Sequence, residues 1–138
     1  MRRERFGNRV IQYIGEKDLN NGLKVGIPFA ALLFAGSSDD IPFALDFARP
    51  AISMGCRELC CIGDMSEELH DRIDDILLEN SDNNSTSDVV TTWHGHEPIE
   101  DAIWYFLHIA GEKPDILVVL NQQPANVLEL IAQSITQT

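Results

Sequence analysis

Two short runs without a polar side chain, 29–35 (Phe-Ala-Ala-Leu-Leu-Phe-Ala) and 116–120 (Ile-Leu-Val-Val-Leu), most constrain what this chain can fold into. An apolar run of that length between turn signals reads as a strand covered on both faces, because a strand with one wet face alternates apolar and polar residues. The first run follows Gly26 and Pro28 and stops at Gly36-Ser37-Ser38-Asp39-Asp40; the second stops at Asn121-Gln122-Gln123-Pro124. Two more strands follow from weaker signals: 58–62 (Glu-Leu-Cys-Cys-Ile) and 88–93, rich in Val and Thr.

Helical periodicity fills the gaps. Phe43, Phe47 and Ala51 recur at four-residue spacing after Pro42, which suits a first helical turn. Pro50 should bend that helix or end its regular part, and Gly55 is a C-terminal stop. Leu69, Ile73, Ile76 and Leu77 make one apolar stripe after Asp64 and Glu67, an acidic variant of a capping box. Ile99, Ala102, Ile103, Phe106, Leu107 and Ala110 make another after Pro98, closed by Gly111, and Val127, Leu128, Ile131 and Ile135 make the last.

Strand and helix therefore alternate four times, which implies parallel pairing through right-handed crossovers. The expected fold class is α/β: a three-layer α/β/α sandwich on a four-stranded, mainly parallel sheet, flavodoxin-like or Rossmann-like in outline. Numbering those strands in chain order, the arrangement 2-1-3-4 is expected, with 3-2-1-4 as the alternative. Residues 9–14 read either as an extra edge strand or as a helical turn, within an N-terminal extension over 1–24. Residues 80–87 contain no apolar side chain and read as a flexible loop. A length of 138 residues suits one domain over 1–138, with enough apolar content to fold without metal or disulfide staples.

Charge is the strongest departure from an average composition. Residues 1–24 carry six basic and three acidic groups, whereas 73–138 carry eleven acidic groups and a single base, Lys113. Phosphate backbones bind through Lys and Arg, so the second half should repel nucleic acid and anionic membranes and attract a basic protein. A solvated surface that aids solubility is the plainer account of the same charge. Candidate contacts for a basic partner are Asp71, Asp74, Asp75, Glu79 and Asp82, with Glu100 and Asp101 as a second cluster. Tyr105 lies off the apolar stripe of its helix, so it is expected to face outward; with the adjacent Trp104 and with Trp93 at a strand end it offers an aromatic anchor, ordinary partial burial of these rings being the plainer account. The charge asymmetry along the chain also permits head-to-tail contact between copies, so a homo-oligomer is allowed.

Cys56, Cys60 and Cys61 match no zinc spacing, and an odd count argues against a disulfide framework. They read as buried reduced thiols, which points to the cytoplasm. The start, Met1-Arg2-Arg3-Glu4-Arg5, lacks the apolar stretch of a secretory signal, and the longest apolar stretch is too short to span a bilayer.

Ligands of open parallel sheets bind outside the carboxyl ends of the strands. Loops 36–40, 63–66, 94–97 and 121–123 should converge there. Gly36-Ser37-Ser38 opening a helix could cradle a phosphate, but Asp39 and Asp40 stand where the anion would sit, so helix capping is the better reading. In the third loop, His94, His96 and Glu97, with Asp64 from the second, could make a two-histidine, one-carboxylate metal site. A glycine between the histidines works against it, and Glu97 before Pro98 also serves as a favourable charge at a helix start. No catalytic constellation stands out in the sequence, and no cofactor is implied. The expected function is a non-catalytic acidic protein-binding domain, an intracellular inhibitor of the immunity-protein kind that neutralises a basic toxin or nuclease. The alternative is a small-molecule or metal-binding domain, a hydrolase included, with its site at the strand ends.

Overall fold

The structure is a computed structural model that describes residues 2–79, 89–120 and 123–136. An N-terminal hairpin comprises β1 (Arg2–Phe6) and β2 (Arg9–Ile14), followed by a short helix α1 (Glu16–Asn20). Then come β3 (Phe29–Phe34), α2 (Ile41–Ile52), β4 (Cys56–Ile62), α3 (Ser66–Glu79), β5 (Val90–Trp93), α4 (Ile99–His108), β6 (Ile116–Leu120) and α5 (Ala125–Thr136).

The fold is α/β, on a six-stranded mixed sheet in the order β1-β2-β6-β3-β4-β5. Among the described residues, only the β1–β2 pair is antiparallel. Two expectations are corrected. The sheet has six strands rather than four, because the segment taken as an extension joins it: β2 pairs with β6 from Val10–Ile116 to Ile14–Leu120, and β1 takes the edge. Residues 9–14 are thus an internal strand. The four strands read from the sequence stand in the order 3-2-1-4, not 2-1-3-4.

Crossover handedness accounts for that order. α2 and α3 pack with Leu33, Leu59 and Cys61 on one face as the chain steps β3→β4→β5. α4 and α5 pack with Leu32, Cys60, Leu117 and Val119 on the other. Right-handed crossovers place helices on one face while the chain winds one way and on the opposite face when it reverses. The return through α4 therefore carries β6 back across β4 to the far side of β3. Both apolar runs read from the sequence are buried at nearly every position, as strands between two helix layers require.

Local signals behave as expected. Pro42 sits in the first turn of α2, and the helix ends two residues after Pro50. Pro98 caps α4, and Gly111 follows it with a left-handed backbone, φ +62°. The hairpin docks on α4 as well as on β6: the Arg9 guanidinium donates to the Leu107 carbonyl, one of the acceptors a helix end leaves unpaired. The loop expected over 80–87 lies outside the described residues.

Candidate functional site

The loops after β3, β4 and β5 do meet at the carboxyl ends of the strands, and they fill the space there themselves. Asp40 Oδ2 accepts from the N–H groups of Gly36 and Ser37 at 2.8 and 3.1 Å. The first loop's own carboxylate thus takes the place of an anion, as the capping reading requires. Gly63, with φ +101°, runs against the end of the neighbouring β3 so closely that a Cβ would lie 2.4 Å from the Ala35 carbonyl oxygen. A Cβ on Gly95 would meet Ser66 Oγ at 2.6 Å. Of the fourth loop, Asn121 and Gln122 lie outside the described residues, and Gln123 is buried with its amide donating to the Leu32 carbonyl.

The chemistry gathers instead along one face of β4 and β5, under α4. Glu58 is buried at 5% exposure, the one polar side chain besides the exposed Arg57 in its strand. A buried carboxylate is tolerated only when donors surround it. Here Thr92 Oγ1 donates to Oε2 at 2.7 Å, the Tyr105 hydroxyl reaches Oε2 at 2.8 and Oε1 at 3.0 Å, the Gly111 N–H donates to Oε1 at 3.0 Å, and Cys60 Sγ–H lies 3.3 Å from Oε2. The geometry follows from period two. Glu58 and Cys60 point to the same face of β4, and Thr92 pairs with Cys60 across the parallel ladder.

The chain of contacts continues upward. His94 Nε2 lies 2.9 Å from Thr92 Oγ1, and His94 Nδ1 lies 2.9 Å from Glu97 Oε1. The His94 ring is buried and stacks at a tilt on Tyr105, centroids 4.8 Å apart. Polar groups thus link Glu58 near the amino end of β4 to Glu97 beyond the carboxyl end of β5. A cleft of about 590 Å³ opens on the lower end, lined by Arg57, Glu58, Val90, Tyr105, Ile109, Gly111 and Glu112. Its volume is that of a small-molecule pocket, but it lies at the end of the sheet opposite to the one the topology suggests.

Burial pushes the Tyr105 hydroxyl above the usual phenol range, and its bond to Glu58 adds to the shift because a phenolate there would face a carboxylate. Burial also raises all three thiols, Cys56 to about 12 and Cys60 and Cys61 likewise upward, with the Glu58 charge reinforcing the effect at Cys60. All three are free and buried. Thiolate is the reactive form, so a disulfide reagent at neutral pH should label none of the three in the native protein and all three after denaturant. Rapid native labelling of Cys60 would show that this face of the sheet opens, and of Cys56 or Cys61 that the opposite core does.

The residues read from the sequence fare unevenly. His94 and Glu97 meet, whereas His96 is exposed and lies edge-on to Trp93 at 4.5 Å, and Asp64 is exposed. The groups of three or more His, Cys, Asp or Glu whose ligand atoms lie within 4.8 Å of one another, among the described residues, are Glu58–Cys60–His94 and His70–Asp71–Asp74. Neither contains His96 or Asp64. Asp71, Asp75, Glu79, Glu100 and Asp101 are exposed, and Asp74 is partly covered, 3.5 Å from His70 Nε2. Asp82 lies outside the described residues. Tyr105 is corrected: its hydroxyl points inward to Glu58, and its neighbour Trp104, 56% exposed, is the outward aromatic. Sequence reasoning passed over Glu58 and Thr92, and read Cys60 as a buried thiol rather than as part of a site. A lone acid within Glu-Leu-Cys-Cys-Ile was a usable signal; nothing in the sequence marked Thr92.

No helix among the described residues is long and apolar enough to cross a membrane. No curated protein and no solved structure matches the chain. Residues 9–136 match the family described as "Domain of unknown function (DUF7684)", and on that near-complete match the chain belongs to this family.

Proposed function

We propose that this protein is a non-catalytic binding domain that uses its acidic helix faces to hold a basic protein partner, in the manner of an intracellular inhibitor or immunity protein. One observation carries the reading: each acidic cluster surrounds a large apolar side chain left in solvent. Leu78, 71% exposed, stands one turn after Asp74 and Asp75 on α3; Trp104 stands one turn after Glu100 and Asp101 on α4. Helical spacing makes those residues surface neighbours. An apolar anchor within a charged rim is the anatomy of a protein interface, the anchor supplying desolvation energy and the rim steering encounter. The surplus of eleven acids over one base in 73–138 gives that steering one sign and disfavours nucleic acid as the partner. Buried reduced thiols are compatible with a reducing compartment.

The test begins with capture of partners from host lysate at low salt, followed by salt-step elution and mass spectrometry. A basic protein released sharply by salt is the expected result. With that protein in hand, Asp71→Asn, Asp75→Asn and Glu79→Gln together should lower the association rate at low salt by about tenfold or more and flatten its salt dependence. Trp104→Ala should instead act through faster dissociation. A triple variant that associates at the wild-type rate at every salt concentration removes the steering role on which this reading rests.

A further inference from the structure

The second observation is independent of the acidic faces. Three ligand-type atoms, the Glu58 carboxylate, Cys60 Sγ and a ring nitrogen of His94, converge behind the cleft from two adjacent strands, all buried and all within 4.8 Å of one another. Glu58 starts low on β4 and His94 follows β5, so both long side chains lean toward the level of Cys60 and Thr92, where the strands are in register. A tetrahedral zinc site with bonds near 2.0–2.3 Å sets its ligand atoms about 3.3–3.8 Å apart. Glu58 Oε2 and Cys60 Sγ already stand at 3.3 Å. Small rotations of the Glu58 and His94 side chains would complete the closure.

The surroundings fit a metal in two further ways. Ligating histidines almost always present their other ring nitrogen to a carboxylate or carbonyl, and ligating carboxylates are themselves hydrogen-bonded. His94 Nδ1 faces Glu97 Oε1 at 2.9 Å, and Glu58 Oε1 is held by the Gly111 N–H at 3.0 Å and by Tyr105. Two of the inner acceptors also compete for a single proton. When the imidazole is neutral and Nδ1–H donates to Glu97, Nε2 turns its lone pair inward. Thr92 then has one hydroxyl proton facing two acceptors, Glu58 Oε2 at 2.7 Å and His94 Nε2 at 2.9 Å. A cation between them satisfies both.

We infer that Glu58, Cys60 and His94 form a binding site for a divalent zinc-type ion, reached through the cleft that Glu58 lines. The donor set, one thiolate, one imidazole and one carboxylate, selects zinc over magnesium or calcium, which take oxygen ligands. The thiol proton leaves to solvent on coordination, as for any cysteine ligand. With three protein ligands rather than four, the site resembles the open kind that keeps a position for water or a small ligand.

The experiment titrates Zn²⁺ and Co²⁺ into the full chain after chelator treatment and dialysis, reading a competing chromogenic chelator for zinc and the thiolate-to-cobalt charge-transfer absorption for cobalt. One ion per chain is expected, with the absorption present. Cys60→Ala should abolish the band and weaken binding more than Glu97→Gln does, and the latter should cost about 10–100-fold, as loss of a partner behind a metal-bound histidine does. Cys56→Ala and Cys61→Ala, which pack with the opposite core, should keep the band. His70→Ala should change nothing; loss of binding in that variant would assign the ion to the exposed His70–Asp71–Asp74 group and overturn the inference. Wild-type protein that binds no ion, or binds cobalt without the thiolate band, overturns it too, and neither outcome depends on whether a variant folds. A wild-type protein that captures a basic partner yet binds no zinc rejects this site and leaves the acidic-face reading standing.

Discussion

Glu58→Ala is expected to lower stability by about 2–4 kcal/mol, seen as a fall of roughly 10 °C in melting temperature. The carboxylate takes bonds from Thr92, Tyr105 and the Gly111 N–H, with Cys60 close by. Removing it strands those donors in a site where Glu58 itself is almost inaccessible. Each buried group left unpaired costs about 1–3 kcal/mol. Two effects limit the total. The protein no longer buries a charge, and water can follow the cleft to some of the freed donors. Two other variants sort these terms. Glu58→Gln keeps the volume and one carbonyl but turns an NH₂ toward donors, so its cost should fall between wild type and alanine. Tyr105→Phe removes a single donor and should cost about 1 kcal/mol. If chemical denaturation gives Glu58→Ala the wild-type midpoint, the donors are already hydrated and the network contributes little.

Gly63→Ala should be at least as damaging, at about 3 kcal/mol or more, for a reason of shape rather than charge. The new Cβ would lie 2.4 Å from the Ala35 oxygen and 2.8 Å from its carbon, on a backbone with φ +101° that side chains rarely adopt. The carbonyl cannot step aside cheaply, because it accepts from the Met65 N–H at 2.8 Å. Gly7, in the β1–β2 turn, separates conformation from contact. It also has a positive φ, +62°, but open space around its Cβ position. Gly7→Ala should therefore show only the left-handed backbone cost of about 1–2 kcal/mol. Equal losses for the two variants, measured by urea denaturation, would mean that the close approach at Gly63 relaxes freely.

The strand–helix alternation was legible because its signal is dense: unbroken apolar runs at β3 and β6 and four amphipathic stripes, three of them with a cap or a stop. β2 was not, because Arg-Val-Ile-Gln-Tyr-Ile fits a short strand and a helical turn equally well. Strand order depends on where a chain reverses its winding, and that choice is made by packing between helices far apart in sequence. The same distinction runs through the site. His94 and Glu97 sit three residues apart in one loop, so the sequence groups them, as candidate metal ligands with His96 and Asp64. Glu58 and Thr92 are thirty-four residues apart and meet only through the β4–β5 ladder. Tyr105 was misplaced because helical periodicity sees apolar burial, and its inward turn is paid for by a buried acid that no helix pattern reports.

The place of β6 has a further consequence, for the order in which the protein can be made. β6, the last of the described strands in sequence, is inserted between β2 and β3, pairing with both. A ribosome that has delivered everything through β5 has therefore supplied a hairpin and a three-stranded piece with no ladder joining them. β2 and β3 each then present an unpaired edge, and β3 is apolar throughout. Exposed edges of that kind invite pairing with other chains. Residues near 10 must also wait for residues near 116 before their register exists, a loop closure that slows folding. The chain is thus most vulnerable between the synthesis of β5 and that of β6, and the insertion of one short strand turns two sticky fragments into a single continuous sheet.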